Sequence, residues 1–254
     1  MAERTLTYFI SDLHIGAGYI ADSHEHQRRL SQWLESIAPR ARTIYMLGDI
    51  LDYWYEYRSV VPRGYIRFLG TLARLADEGV EIVWFKGNHD IWIFDYLPRE
   101  IGLQVVDGLL DTRIDGKRFV MEHGDGVGEL RRSYRIMRRL FRNRILQKLF
   151  SAIHPRWTVG FAHSWSKHSR LNGCAPRPIE KGDPMIDFAE KYMSDNGHVD
   201  YFIFGHRHVE ADVQLSDNSR LIVLGDGFRQ MTYGVWDGTN FSLKKMENCQ
   251  NATI

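Results

Sequence analysis

Five short polar clusters, each closing an apolar run and each adjoining a glycine, constrain this chain more than any bulk property. They are Ser11-Asp12-Leu13-His14, Gly48-Asp49-Ile50-Leu51-Asp52, Gly87-Asn88-His89-Asp90, Glu122-His123-Gly124-Asp125 and Gly205-His206-Arg207-His208. The apolar runs before them have the length of buried strands, and glycine lets the chain turn sharply at a sheet edge. Alternation along an extended segment puts Asp12 and His14 on one side, as it does His206 and His208. Imidazole mixed with carboxylate suits Mn, Fe, Zn or Co better than an ion that prefers oxygen alone. Asp12, His14, Asp49, Asn88, His123, His206 and His208 are too many ligands for one tetrahedral ion. They suit two divalent ions sharing a carboxylate.

The rest of the pattern predicts an α/β fold. Strands expected at 5–10, 43–47 and 80–85 alternate with helical periodicity over 27–37 and 65–76. Shorter strands follow at 110–114 and 118–122 around an Asp115-Gly116 turn. A second series is expected at 201–204, 210–215, 220–224, 232–236 and 241–245, with hairpin signals at Asp217-Asn218 and Asp237-Gly238. Two sheets packed face to face, with helices outside, accommodate that order: a four-layer α-β-β-α sandwich.

Charge is distributed unevenly. The 254 residues carry 33 Lys and Arg against 32 Asp and Glu, a net charge of +1 that excludes a uniformly basic nucleic-acid coat and an acidic disordered chain. Residues 127–181 nevertheless hold thirteen cations and only Glu129 and Glu180 as anions. Leu130, Tyr134, Met137 and Phe141 recur at helical spacing, with arginines one residue behind each, which predicts an amphipathic basic helix. The expected organisation is a core of 1–126 and 182–246, a basic helical cap inserted at 127–181, and a frayed tail at 247–254. The cap admits three readings: a solvated face, a nucleic-acid phosphate binder, or a membrane-surface cap receiving acyl chains. Cys174 and Cys249 read as two reduced thiols, and no apolar run approaches a membrane span. Both point to a soluble cytoplasmic chain.

In succession, Asp-x-His, Gly-Asp-x-x-Asp, Gly-Asn-His-Asp, His-Gly-Asp and Gly-His-x-His resemble the signature of calcineurin-like metallophosphoesterases. More narrowly, the segment from Tyr45 to Trp54, the insertion between His123 and His206, and Ser164-Trp165-Ser166-Lys167 resemble the UDP-2,3-diacylglucosamine hydrolase branch. One position departs, because the best-known members of that branch carry Arg where this chain has His89.

The resemblance implies Asp12, His14 and His208 around one ion, Asn88, His123 and His206 around the other, and Asp49 between them, with manganese the first choice of metal. It implies hydrolysis of UDP-2,3-diacylglucosamine to UMP and 2,3-diacylglucosamine 1-phosphate, at the inner face of the membrane. His89 is expected to donate a hydrogen bond or proton to the phosphate or leaving group. Asp52 is expected either to orient His89 or to brace a loop or a ligating neighbour. Lys167 and Arg170 are candidate diphosphate contacts. The alternatives are a general phosphodiesterase or nuclease, and a binding scaffold of the same fold. His24, His26, His154, His163, His168 and His198 read as surface or cap residues.

Overall fold

Eleven strands and six helices are described in a computed structural model that covers residues 3–128, 132–155, 157–158, 160 and 177–246. The chain runs β1 (Leu6–Ile10), α1 (Ser23–Ile37), β2 (Ala41–Met46), α2 (Ile66–Asp77), β3 (Glu81–Phe85), α3 (Tyr96–Ile101) and β4 (Gln104–Val106). It continues with β5 (Leu110–Ile114), β6 (Lys117–Met121), α4 (Arg132–Arg142), α5 (Arg144–Ser151) and α6 (Pro184–Asn196). It closes with β7 (Tyr201–Phe204), β8 (Glu210–Ser216), β9 (Ser219–Leu224), β10 (Thr232–Trp236) and β11 (Phe241–Lys245).

Two sheets form, ordered β11-β10-β1-β2-β3-β4 and β5-β6-β7-β9-β8. Within the first, β1, β2, β3 and β4 are parallel; within the second, β6, β7 and β9 are parallel. Parallel strands send all their C-terminal ends to one edge, so the five polar clusters must converge there.

The layers follow from which faces are apolar. On the outer side of the first sheet, α1 buries His26, Leu30, Trp33, Leu34 and Ile37 along one stripe, and Asp22 starts the helix by accepting from the Glu25 amide at 2.8 Å. Phe68, Leu72 and Leu75 do the same for α2. Between the sheets lies an aromatic layer in which Phe119 meets Phe9, Tyr201 and Trp236, and Tyr201 meets Phe241. Phe119 is fully buried there, so truncating it to Ala would cost about 3–5 kcal/mol. The fourth layer is α6, which packs Met185, Ile186 and Ala189 on the second sheet. The four-layer α/β sandwich is thus the observed architecture. The Asp115-Gly116 turn takes positive φ at both residues, and Asp115 clamps the sheets by accepting from Arg42 and from the Trp236 indole.

Sequence patterning misses α3, β4 and α6. It also misplaces His26, which is not a surface residue. Its ring is buried and donates from Nε2 to the Leu13 carbonyl at 2.9 Å, inside the first polar cluster. The expected positions of Lys167, Arg170, Cys174, Cys249, His163, His168 and the 247–254 tail lie outside the described residues.

Candidate metal centre

Each cluster follows its strand directly: Asp12 and His14 after β1, Asp49 and Asp52 after β2, Asn88 and His89 after β3, His123 after β6, and His206 and His208 after β7. The turns are tighter than glycine alone provides. Asp12, His14, Asp49, His206 and His208 themselves have φ between 45° and 66°, the left-handed region that side chains other than Asn, Asp and His seldom enter. Such strain persists only where the surroundings enforce it. Two glycines do the enforcing: a Cβ at Gly87 would strike the Asp49 carboxylate, and one at Gly205 would strike the Ser11 hydroxyl and the Asp12 carboxylate.

Both central carboxylates use one oxygen as a brace and turn the other inward. Asp12 Oδ2 accepts from the His206 amide at 2.7 Å and lies 2.7 Å from the Ser11 hydroxyl. Its Oδ1 is buried, accepts no hydrogen bond from the described residues, and lies 3.6 Å from His14 Nε2 and 3.4 Å from His208 Nε2. Asp49 Oδ1 accepts from the His89 amide at 2.8 Å, while Oδ2 stands 3.8 Å from His14 Nε2 and 3.3 Å from His123 Nε2. His123 Nε2 is also 3.3 Å from Asn88 Oδ1 and 3.3 Å from His206 Nδ1. Donor atoms about 2.1 Å from a common ion in tetrahedral array stand about 3.4 Å apart. Asp12, His14 and His208 could therefore hold one ion, and Asp49, His123 and His206 another, each trio having its donor atoms within 4.8 Å of one another.

Ring tautomers suit that use. His123 donates from Nδ1 to the Leu47 carbonyl at 2.7 Å, and His14 from Nδ1 to Asp52 Oδ1 at 3.2 Å, so both turn Nε2 into the cluster. Asp52 thus splits its work. Its carboxylate holds His14, and its main-chain carbonyl receives the Nδ1 proton of His89 at 2.9 Å, although Oδ1 is also 3.4 Å from that nitrogen. His89 Nε2 stands 4.0 Å from Asp49 Oδ2, on the wall of the cavity described below.

The electrostatics hold the two central carboxylates in their anionic form. Burial opposes ionisation of Asp12, yet the facing His208 and His14 rings hold its carboxyl below the usual range, and His123 and His89 do the same for Asp49. Burial would lower His123, but the Asp49 carboxylate beside it raises it well above an ordinary imidazole. Partial burial and the neighbouring His123 lower His206. Asp90, buried and close to Asp49, is raised. It bridges two loops by accepting from the amides of Gly87 at 2.8 Å and Ile50 at 2.9 Å, and from the Trp84 indole at 3.1 Å.

Several contributors escaped the motif reading. Ser11 positions Asp12, and Glu56 is a buried carboxylate that accepts from the amides of Asp95, Tyr96 and Leu97 and so starts α3. Phe228, directly after the Gly225-Asp226-Gly227 run that follows β9, lies 5.8 Å from the His14 ring and 5.7 Å from that of His208. A Gly-Asp-Gly after a strand is the same local signal as the five clusters.

Beside the centre lies a cavity of 510 Å³, lined by Asn88, His89 and His206 together with Trp92, Met137, Phe141 and Phe150. Helix α4 is fastened next to it, with Arg138 pairing with Asp125 at 2.9 Å and with Glu122 at 3.0 Å. Asp125 therefore braces the basic helix.

Parallel strand ends carrying these donors define a phosphoesterase site, and the chain belongs to the calcineurin-like phosphoesterase family, whose model matches residues 6–210. It is a hydrolase of phosphoester or diphosphate bonds, in a family that uses divalent metals. Among individual proteins, it is 43% identical to the UDP-2,3-diacylglucosamine hydrolase of Porphyromonas gingivalis, over 97% of this chain and 100% of that one. Proteins of the same name from Neisseria meningitidis and Haemophilus influenzae are 28% and 27% identical, over 86% and 87% of this chain and 88% and 90% of theirs.

Proposed function

We propose that this chain hydrolyses UDP-2,3-diacylglucosamine, adding water across the P–O–P bridge to give UMP and 2,3-diacylglucosamine 1-phosphate. The observation that carries the reading is the cavity, which sets the polar groups of the ion cluster beside large apolar side chains in one continuous lining. A phosphorylated sugar bearing acyl chains has both kinds of surface. The names of the relatives support the same substrate.

Asp12, His14, His208 and Asp49 would hold one divalent ion, and Asp49, Asn88, His123 and His206 the second, with manganese the first candidate and iron, zinc or cobalt the alternatives. Ions so held would acidify a shared water and offset charge building on the phosphoryl oxygens. Asp52 fixes the His14 ring, and through its carbonyl it fixes the Nδ1 proton of His89. Once its second nitrogen is protonated, His89 donates from Nε2 to a phosphoryl oxygen or to the departing bridge oxygen.

Residues 127–181 are read as a cap, with Lys167 and Arg170 as diphosphate contacts. Ile136, Ile145, Leu149 and Trp157 are all at least half exposed beside Arg132, Arg135, Arg144 and Lys148, which favours a lipid headgroup surface over nucleic acid as the partner. No helix among the described residues is long and apolar enough to cross a membrane. The place proposed with this substrate is cytoplasmic, peripheral on the inner membrane face.

The deciding experiment is mass-spectrometric detection of UMP from UDP-2,3-diacylglucosamine with Mn²⁺, using Asp49→Ala as the control. Release that disappears in the control supports the substrate. Absence of release, from protein that still cleaves an aryl phosphodiester, overturns it.

A further inference from the structure

We propose that Arg142 grips phosphoryl oxygens of the substrate in the cavity beside the ion cluster and so selects diphosphates over single phosphodiesters. This rests on the reading of the substrate as a diphosphate.

Arg142 ends α4 and lines the cavity together with Asn88, His89 and His206. Both of its η nitrogens are buried, and neither donates a hydrogen bond. A guanidinium stays charged at any working pH and carries its N–H donors in a rigid fork. Four N–H groups are therefore held out of water with no acceptor among the described residues. The carboxylates near it are shared with other cations. Asp125 lies 3.8 Å from Nη1 but bonds Arg138 at 2.9 Å, and the half-exposed Asp107 lies 3.3 Å from Nε but also pairs with Lys86 at 3.4 Å. What is missing around the fork is an anion rich in acceptor oxygens, and phosphate matches the fork in charge and spacing. Asn88 and His206 come from the ion cluster, so one phosphoryl group can lie on the ions while its neighbour meets Arg142.

The arrangement distinguishes Arg142 from Arg138 one turn earlier. Arg138 uses Nε and Nη2 on Asp125 and Glu122 and serves to fasten the helix. Of the two described arginines that line the cavity, only Arg142 has η nitrogens that donate to no described acceptor.

The test measures inhibition of bis-p-nitrophenyl phosphate hydrolysis by methylenediphosphonate and by methylphosphonate, in excess Mn²⁺. The ratio of the two inhibition constants is compared between wild type, Arg142→Gln, Arg142→Lys and Asp107→Asn. Arg142→Gln should weaken the diphosphonate about ten- to hundred-fold relative to the monophosphonate. Arg142→Lys, with charge but no fork, should fall between, and Asp107→Asn, which loosens the tether but keeps the guanidinium, should leave the ratio as in wild type. If Arg142→Gln weakens both inhibitors by one factor, or neither, the residue only fastens the helix and the proposal fails. Failure of wild type to release UMP from the diacylated sugar nucleotide would instead overturn the proposed reaction. The inhibitor ratio would still decide the role of Arg142.

Discussion

The strand-end cluster and the basic helices α4 and α5 border the same cavity, but they are held there by opposite means. Around the cluster the backbone itself is locked: Asp12 and His14 donate main-chain hydrogen bonds to Gly48 and Asp49, and the side chains of Asp12, His14, Asp49, Asp52 and His123 are buried. Helices α4 and α5 contain no residue that is buried as a whole. They are attached by side-chain tethers, among them Tyr55 donating to the Gln147 carbonyl at 2.5 Å, Trp92 donating to the Phe141 carbonyl at 3.0 Å, and the Arg138 ion pairs. Chemistry that needs sub-ångström placement sits where packing leaves no alternatives, while the wall that meets the rest of the substrate hangs from a few replaceable bonds.

That contrast is open to experiment. Asp49→Ala should lower turnover about 10³-fold or more, because it removes the carboxylate that the proposed arrangement shares between the two ions. Metal content measured by plasma mass spectrometry should fall with it. Asp52→Asn keeps every donor but weakens the hold on His14, so ion affinity measured by calorimetry should drop about 10–100-fold. Substitutions in the tethers should do neither. Tyr55→Phe should lower stability by about 1 kcal/mol in a thermal melt and raise KM for an acylated substrate while leaving metal content unchanged. If Tyr55→Phe strips metal, the two regions are not independent.

Ion binding should also depend on pH in a defined direction, with an effect between those of Asp52→Asn and Tyr55→Phe. In the ion-free protein the raised pKa of His123 keeps its ring protonated at neutral pH, and an entering ion must expel that proton. Apparent affinity should therefore climb about ten-fold per pH unit and level off above the His123 pKa. Calorimetry in buffers of different ionisation enthalpy counts the released proton. Stability of the ion-free fold runs the other way. The contribution of charged His123 is complete below the unfolded value of 6.5 and is lost as pH rises through its raised folded value. That of Asp49 is present above 3.8 and is lost as pH falls through its depressed folded value. Melting of chelated protein should peak between those two limits.

What the sequence discloses about the cluster is local. An apolar run, a glycine and a polar donor are contiguous in the chain, and parallel strands do the rest, so Asp12, His14, Asp49, Asn88, His123, His206 and His208 can be collected without coordinates. Contributors whose reason is tertiary stay hidden. Glu56 looks like any surface glutamate until α3 is seen to begin on its carboxylate. His26 sits on an ordinary helix, and only the return of the first loop over α1 shows that its ring holds the Leu13 carbonyl. Excess positive charge in the basic segment is legible as a number, but not its division. Arg138 is spent on docking, and Arg142 has a fork to spare. α6 had a readable start, since Asp183 accepts from the Met185 amide and Pro184 follows it. The basic run before it dominates the local pattern.

The left-handed backbone at Asp12, His14, Asp49, His206 and His208 also restricts which replacements these positions can accept. Glycine enters that region freely and asparagine, aspartate and histidine at less cost than other side chains, whereas glutamate and β-branched residues are strongly disfavoured there. Exchanging an aspartate for the longer glutamate, a natural first step in retuning a site toward a larger ion, would therefore fail on the main chain before the new carboxylate reached anything. The alphabet open to drift or design at these five positions is nearly the same as the short list of good ligands for small divalent ions. A lineage wandering through tolerated substitutions would keep meeting metal-binding side chains.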